Sequence, residues 1–77
     1  MSMNSRVAAL PNRASRIAAQ VVDIIETQKL RAGDSLPPER QLAELLEVSR
    51  PSLREALHIL QAQGLVEIKH EIGRAHV

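Results

Sequence analysis

Seventy-seven residues with ten Lys and Arg against nine Asp and Glu, no Cys and no Phe, Tyr or Trp describe one small domain of formal charge +1. A chain this size buries only about 60% of its unfolded surface, which argues against a large enclosed ligand cavity or an enzyme active site. The missing cysteines remove disulfides, thiol nucleophiles and zinc-cysteine sites, and the missing aromatics remove stacking platforms for single-stranded nucleic acid.

Met1 to Asn12 has no sustained period, carries Pro11 near its end, and is read as a flexible N-terminal arm. From Arg13 to Gln28, Ile17, Ala18, Val21, Ile24, Ile25 and Gln28 fall on one stripe, which predicts an amphipathic helix. Gly33 and Pro37-Pro38 break that period, and a turn with a short extended segment near Ser35 to Pro37 follows. Pro38 opens a second helix to Leu46, Glu39 favours the positive end of its dipole, and Leu42, Ala43, Leu45 and Leu46 are its expected buried face.

After a tight turn, Ser49 is a good N-cap for a third helix, Pro51 is tolerated in its first turn, and Ser52 with Glu55 matches a capping-box spacing. Leu53, Ala56, Leu57 and Leu60 form its apolar stripe and Gly64 stops it. "LVEIK" alternates as a strand of a small hairpin. The order predicts a mainly α fold with a small β-hairpin, a winged helix-turn-helix of three helices plus wing over residues 13–70.

Arg50 and Arg54 stand four apart, a spacing at which like charges repel on a helix by about 0.2–0.5 kcal/mol. In a helix-turn-helix the second helix of the pair enters the major groove and its N-terminal residues meet base edges. Read this way, Arg50, Ser52 and Arg54 point outward, away from the apolar stripe, and phosphates or guanines opposite them offset the repulsion. Arginine matches guanine O6 and N7 with two parallel hydrogen bonds, and the helix N-terminus favours phosphate.

The segment "LRAGDSLPPERQLAELLEVSRPSLREALHILQAQGLVEIKH", Leu30 to His70, resembles the N-terminal DNA-binding domain of the GntR family of bacterial transcription regulators. The motif elements occur in register: Gly33, Leu36-Pro37, Glu39-Arg40, Leu42-Ala43, Val48-Ser49-Arg50, Leu53 to Leu57, Leu60 and Gly64-Leu65. With the first helix the resemblance covers Arg13 to His70, and "LREAL" is most similar to the FadR-like branch. It implies that Arg40 lies against the DNA backbone and that Ser49, Arg50, Ser52 and Arg54 are contacts of a recognition helix over about residues 49–63. Arg50 and Arg54 are then the base readers, and His70 is a wing-tip residue. Pro51 stands where relatives often carry a polar contact, and offers only apolar contact, for instance to a thymine methyl. The resemblance further implies a pseudo-palindromic double-stranded operator, a homodimer, and a small-molecule effector bound by a C-terminal domain absent from this chain.

Two features depart from the family pattern. Relatives usually carry Gly in the turn where this chain has Glu47, and a left-handed backbone there costs on the order of 1 kcal/mol. Glu71 to Val77, "EIGRAHV", has two readings: an imitation of the second wing strand, or a non-native tail, because GAG ATC GGA AGA GCA CAC GTC encodes it and contains the start of a common sequencing-library adapter.

Blander roles compete at several positions. Arg40 has Glu44 at pairing distance along the helix, Ser49 and Ser52 have capping to do, and His58 and His76 are too isolated for a metal site. The alternative function is a winged-helix protein-interaction module without a DNA role, which the near-neutral charge would fit. The sequence leads us to expect no enzyme, no cofactor in this chain, no membrane association and a cytoplasmic location, since no apolar run approaches the about 20 residues of a membrane span.

Overall fold

The computed structural model describes residues 12–69 and 74–77; the arm up to Pro11, the wing-tip His70 and Glu71 to Gly73 lie outside the described residues. Three helices, α1 (Arg13–Thr27), α2 (Glu39–Leu46) and α3 (Arg50–Ala62), are followed by strands β1 (Glu67–Lys69) and β2 (Arg74–His76). This is the winged helix-turn-helix that the residue pattern predicts.

Asn12 caps α1, its Oδ1 accepting the Ser15 amide at 2.7 Å. The α1 stripe buries Ala14, Ile17, Ala18 and Val21, half-buries Ile24 and Ile25, and leaves Gln28 exposed just beyond the last turn. α1 packs most extensively on α3, and Val21, Leu36, Leu42 and Leu53 form the fully buried centre.

In α2, Leu42 and Ala43 are buried and Leu46 is half-buried, but Leu45, expected on the buried face, is 60% exposed. At 3.6 residues per turn Leu45 stands roughly 100° from the centre of the stripe that Leu42, Ala43 and Leu46 define. Residue 39 falls within that stripe, and Glu39 is buried.

Ser49 caps α3, its Oγ accepting the Ser52 amide at 3.2 Å. The Ser52–Glu55 capping box is not formed, because Ser52 already lies inside the first turn and Glu55 is exposed.

All three helices end in the same way. In each, the amide of the residue after a left-handed one reaches back five residues: Leu30 to the Ile25 carbonyl, Val48 to Ala43 and Leu65 to Leu60, at 2.9, 3.0 and 2.9 Å. A left-handed residue makes each reversal, Lys29 at φ 56°, Glu47 at φ 58° and Gly64 at φ 78°. This is the Schellman motif, in which glycine is the usual reversing residue. Glu47 thus adopts, with a side chain, the left-handed backbone expected of a glycine in this turn.

β1 and β2 pair antiparallel with Ile68 opposite Ala75. Ladder pairing starts at Glu67, two residues later than the alternation of "LVEIK" implies, and Val66 is buried while Leu65 is 46% exposed. Ser35 bridges to His76, so the extended segment before α2 lies along the other edge of β2. There the Gly33 amide donates to the Val77 carbonyl at 2.6 Å, the Val77 amide to Asp34 at 2.8 Å and the Leu36 amide to Ala75 at 2.9 Å. On the other side, the Gln61 side-chain oxygen of α3 accepts the Ile68 amide at 2.9 Å. No described helix is long and apolar enough to cross a membrane.

Candidate nucleic-acid interface

At the start of α3, Arg50, Pro51 and Arg54 line a shallow groove with Glu39, whereas Ser49 caps the helix and Ser52 stands on its opposite flank at 3.6 residues per turn. Burial of Leu53, Ala56, Leu57 and Leu60 orients the helix. Relative to that stripe, Arg50 lies about 70° and Arg54 about 110° away at 3.6 residues per turn. The two arginines therefore stand on the flank of α3 that faces α2, rather than directly away from the core.

Glu39 answers their mutual repulsion. Its Oε1 accepts from Arg50 Nη2 and from Arg54 Nη2, both at 3.2 Å, and its Oε2 accepts from Arg54 Nε at 3.3 Å. The carboxylate side chain is only 8% exposed, whereas the two arginine side chains are 52% and 53% exposed. Burial raises the Glu39 pKa, but the hydrogen bonds from Arg54 and Arg50 and their positive charges outweigh it and hold the group below its ordinary value. One carboxylate against two guanidiniums leaves a unit of positive charge on this face.

Sequence reasoning assigned Glu39 to the helix dipole and missed this role. The signal was available: positions 39, 42, 43 and 46 follow the i, i+3, i+4, i+7 spacing of a buried stripe. A carboxylate on a core stripe needs a cation, because a buried charge is tolerated only when paired.

The remaining residues divide by what they leave free. Ser49 Oγ accepts the Ser52 amide and donates to Ser52 Oγ at 2.9 Å, so its proton is spent within the cap. The Ser52 hydroxyl keeps its own proton to donate. Pro51 is exposed and presents only its ring. Arg40, on the exposed side of α2, makes no ion pair with Glu44 within 4 Å among the described residues. Lys69 and Glu67 pair at 3.2 Å on the exposed face of the wing. Among the described residues no three His, Asp or Glu side chains group as metal ligands.

The comparisons converge on one family. Residues 13–75 match the model described as bacterial regulatory proteins, gntR family. The chain is 48% identical over 58 residues to the HTH-type transcriptional regulator Rv0494 of Mycobacterium tuberculosis, covering 75% of this chain and 24% of that protein. It is 42% identical over 57 residues to the Uxu operon transcriptional regulator of Escherichia coli, covering 74% of this chain and 22% of that protein. The crystal structure of the possible transcriptional regulator YydK from Bacillus subtilis superposes with a TM-score of 0.78 at 26% identity, over 86% of this chain and 29% of that one. The chain thus spans about a quarter of the length of the curated relatives it matches. A helix-turn-helix with a paired-strand wing, an arginine pair at the head of its second helix and a family match over nearly its whole described length place this chain in the gntR family of bacterial regulatory proteins.

Proposed function

We propose that the face formed by the start of α3 binds double-stranded DNA sequence-specifically, with α3 in the major groove. The observation that carries this reading is the pair of half-exposed arginines, Arg50 and Arg54, brought together by one buried carboxylate at the head of the second helix of the motif. Arg50 and Arg54 read base edges, Arg40 and the hydroxyl of Ser52 contact the backbone, and the amide end of α3 at Ser49 favours a phosphate. Pro51 offers its ring to an apolar base edge. The regulator acts as a homodimer on a pseudo-palindromic operator in the cytoplasm, and a small-molecule effector acts through sequence additional to these residues. No catalytic step or cofactor enters this scheme.

Selection from a pool of randomised duplexes, retested at two salt concentrations with Arg50→Ala and Arg54→Ala, tests it. A common half-site is expected, and each variant should lose preference at one base position by about 1–3 kcal/mol, the worth of an arginine–guanine pair. No enrichment and no binding would overturn the reading in favour of a protein-interaction module.

A further inference from the structure

We infer that Glu39 determines which edge of the Arg54 guanidinium meets the DNA, and so is a specificity-determining positioning residue. The inference rests on the DNA-binding reading above and adds to it a residue that touches no base.

A guanidinium has two edges able to form a parallel pair of hydrogen bonds: the side edge of Nε and one Nη, and the end edge of the two Nη atoms. Glu39 takes the side edge of Arg54, with Nε on Oε2 at 3.3 Å and Nη2 on Oε1 at 3.2 Å. The end edge keeps one proton of Nη1 and the second proton of Nη2. Those are two parallel donors, the pattern that guanine O6 and N7 accept. Arg50 gives Glu39 a single bond, from Nη2 at 3.2 Å, so neither of its edges is wholly committed.

The two arginines are therefore unequal. Arg54 is held by a two-point clamp on a buried carboxylate that belongs to another helix, while its head remains half exposed. Its orientation is set before DNA arrives, so less side-chain freedom is lost on binding. Arg50 retains a choice of edge and adapts to more than one base. Discrimination should be sharp at the base facing Arg54 and broader at the base facing Arg50.

The test uses the 77-residue chain and the duplexes recovered by selection, with each guanine replaced in turn by 7-deazaguanine, which lacks the N7 acceptor. For the wild type, one guanine should show a loss of about tenfold on replacement, and Arg54→Ala should abolish that sensitivity. Glu39→Gln should reduce the sensitivity at that same guanine to about threefold or less, with other guanines and a scrambled duplex affected equally little. Full sensitivity in Glu39→Gln overturns the inference and leaves the DNA-binding reading standing. A uniform loss across all duplexes also overturns it, because that marks a structural role only. A wild type insensitive at every guanine overturns the arginine–guanine reading itself. If Glu39→Gln does not fold, the wild-type Arg54 Nε–H resonance decides: slow exchange with water in free protein supports the clamp, and rapid exchange refutes it.

Discussion

The Leu36 amide donates to the Ala75 carbonyl at 2.9 Å, tying the segment that enters α2 to the second strand of the wing. Together with the bonds of Gly33 and Asp34 to Val77, it makes β2 the middle of a three-segment arrangement. Deleting residues 74–77 removes those bonds, each worth about 0.5–1.5 kcal/mol net, and should lower stability by about 2–4 kcal/mol in urea unfolding. Ala75 is the exposing test of side-chain demand in this strand, since it is 2% exposed opposite Ile68. Ala75→Leu should destabilise by about 1–3 kcal/mol through overpacking. The ties to Gly33, Asp34 and Leu36 run through backbone atoms, so an unrelated sequence with a small middle residue can make them. The codons at the source locus therefore discriminate between the two readings of Glu71 to Val77: a native run there excludes the adapter origin.

Lys29 and Glu47 hold left-handed backbone that costs a side-chain-bearing residue about 1 kcal/mol. Lys29→Gly and Glu47→Gly should each raise stability by about that amount, a rise of roughly 4–8 °C in Tm for a domain of this size. Gly64 gives the converse case. A Cβ built there meets nothing within 4 Å, so Gly64→Ala should lose about 1 kcal/mol from backbone conformation alone. A calorimetric series of the three variants checks both directions.

Glu39 has a folded pKa below its ordinary 4.5, despite burial, because Arg54 and Arg50 favour the ionised form. The corresponding stability is present in full above that ordinary value and is lost as pH falls through the lower folded value. Both arginines are more than half exposed, so the effect should stay near or below about 1 kcal/mol. Thermal unfolding from neutral to acid pH should show a smaller loss for Glu39→Gln than for the wild type below pH 4.5.

The arginine pair and its carboxylate should behave non-additively. Removing both arginines leaves an ionised group, 8% exposed, without a cation, so Arg50→Ala/Arg54→Ala should cost about 1–3 kcal/mol at neutral pH. Adding Glu39→Gln to that double variant should recover most of the loss. Urea midpoints of the three chains measure it, and equal losses with and without Glu39→Gln would contradict the arrangement.

The fold was legible in the chain because its signals agree: apolar periods at Ile17, Leu42 and Leu53, a cap at Ser49 and a stop at Gly64 all describe the same helices. Two misreadings of burial arose in α2, where eight residues are too few for the count of leucines to define a stripe. Leu45 was placed inside by its type and Glu39 outside by its charge, and angular position reverses both. Arg50 and Arg54 were identified with the surface they occupy, but their common partner lies 11 and 15 residues away. That pairing depends on the angle between α2 and α3, which no local spacing records.

Gly64 stands between α3 and the wing with a backbone only glycine adopts freely, and could be taken for a swivel. The chain on either side of it is fastened: Leu65 to the Leu60 carbonyl, and Ile68 to the Gln61 side chain. Leu60 and Val66 sit buried across the bend. The glycine is therefore a corner and not a hinge. The angle at which α3 gives way to β1 is thus set by the protein's own bonds, before anything meets either element.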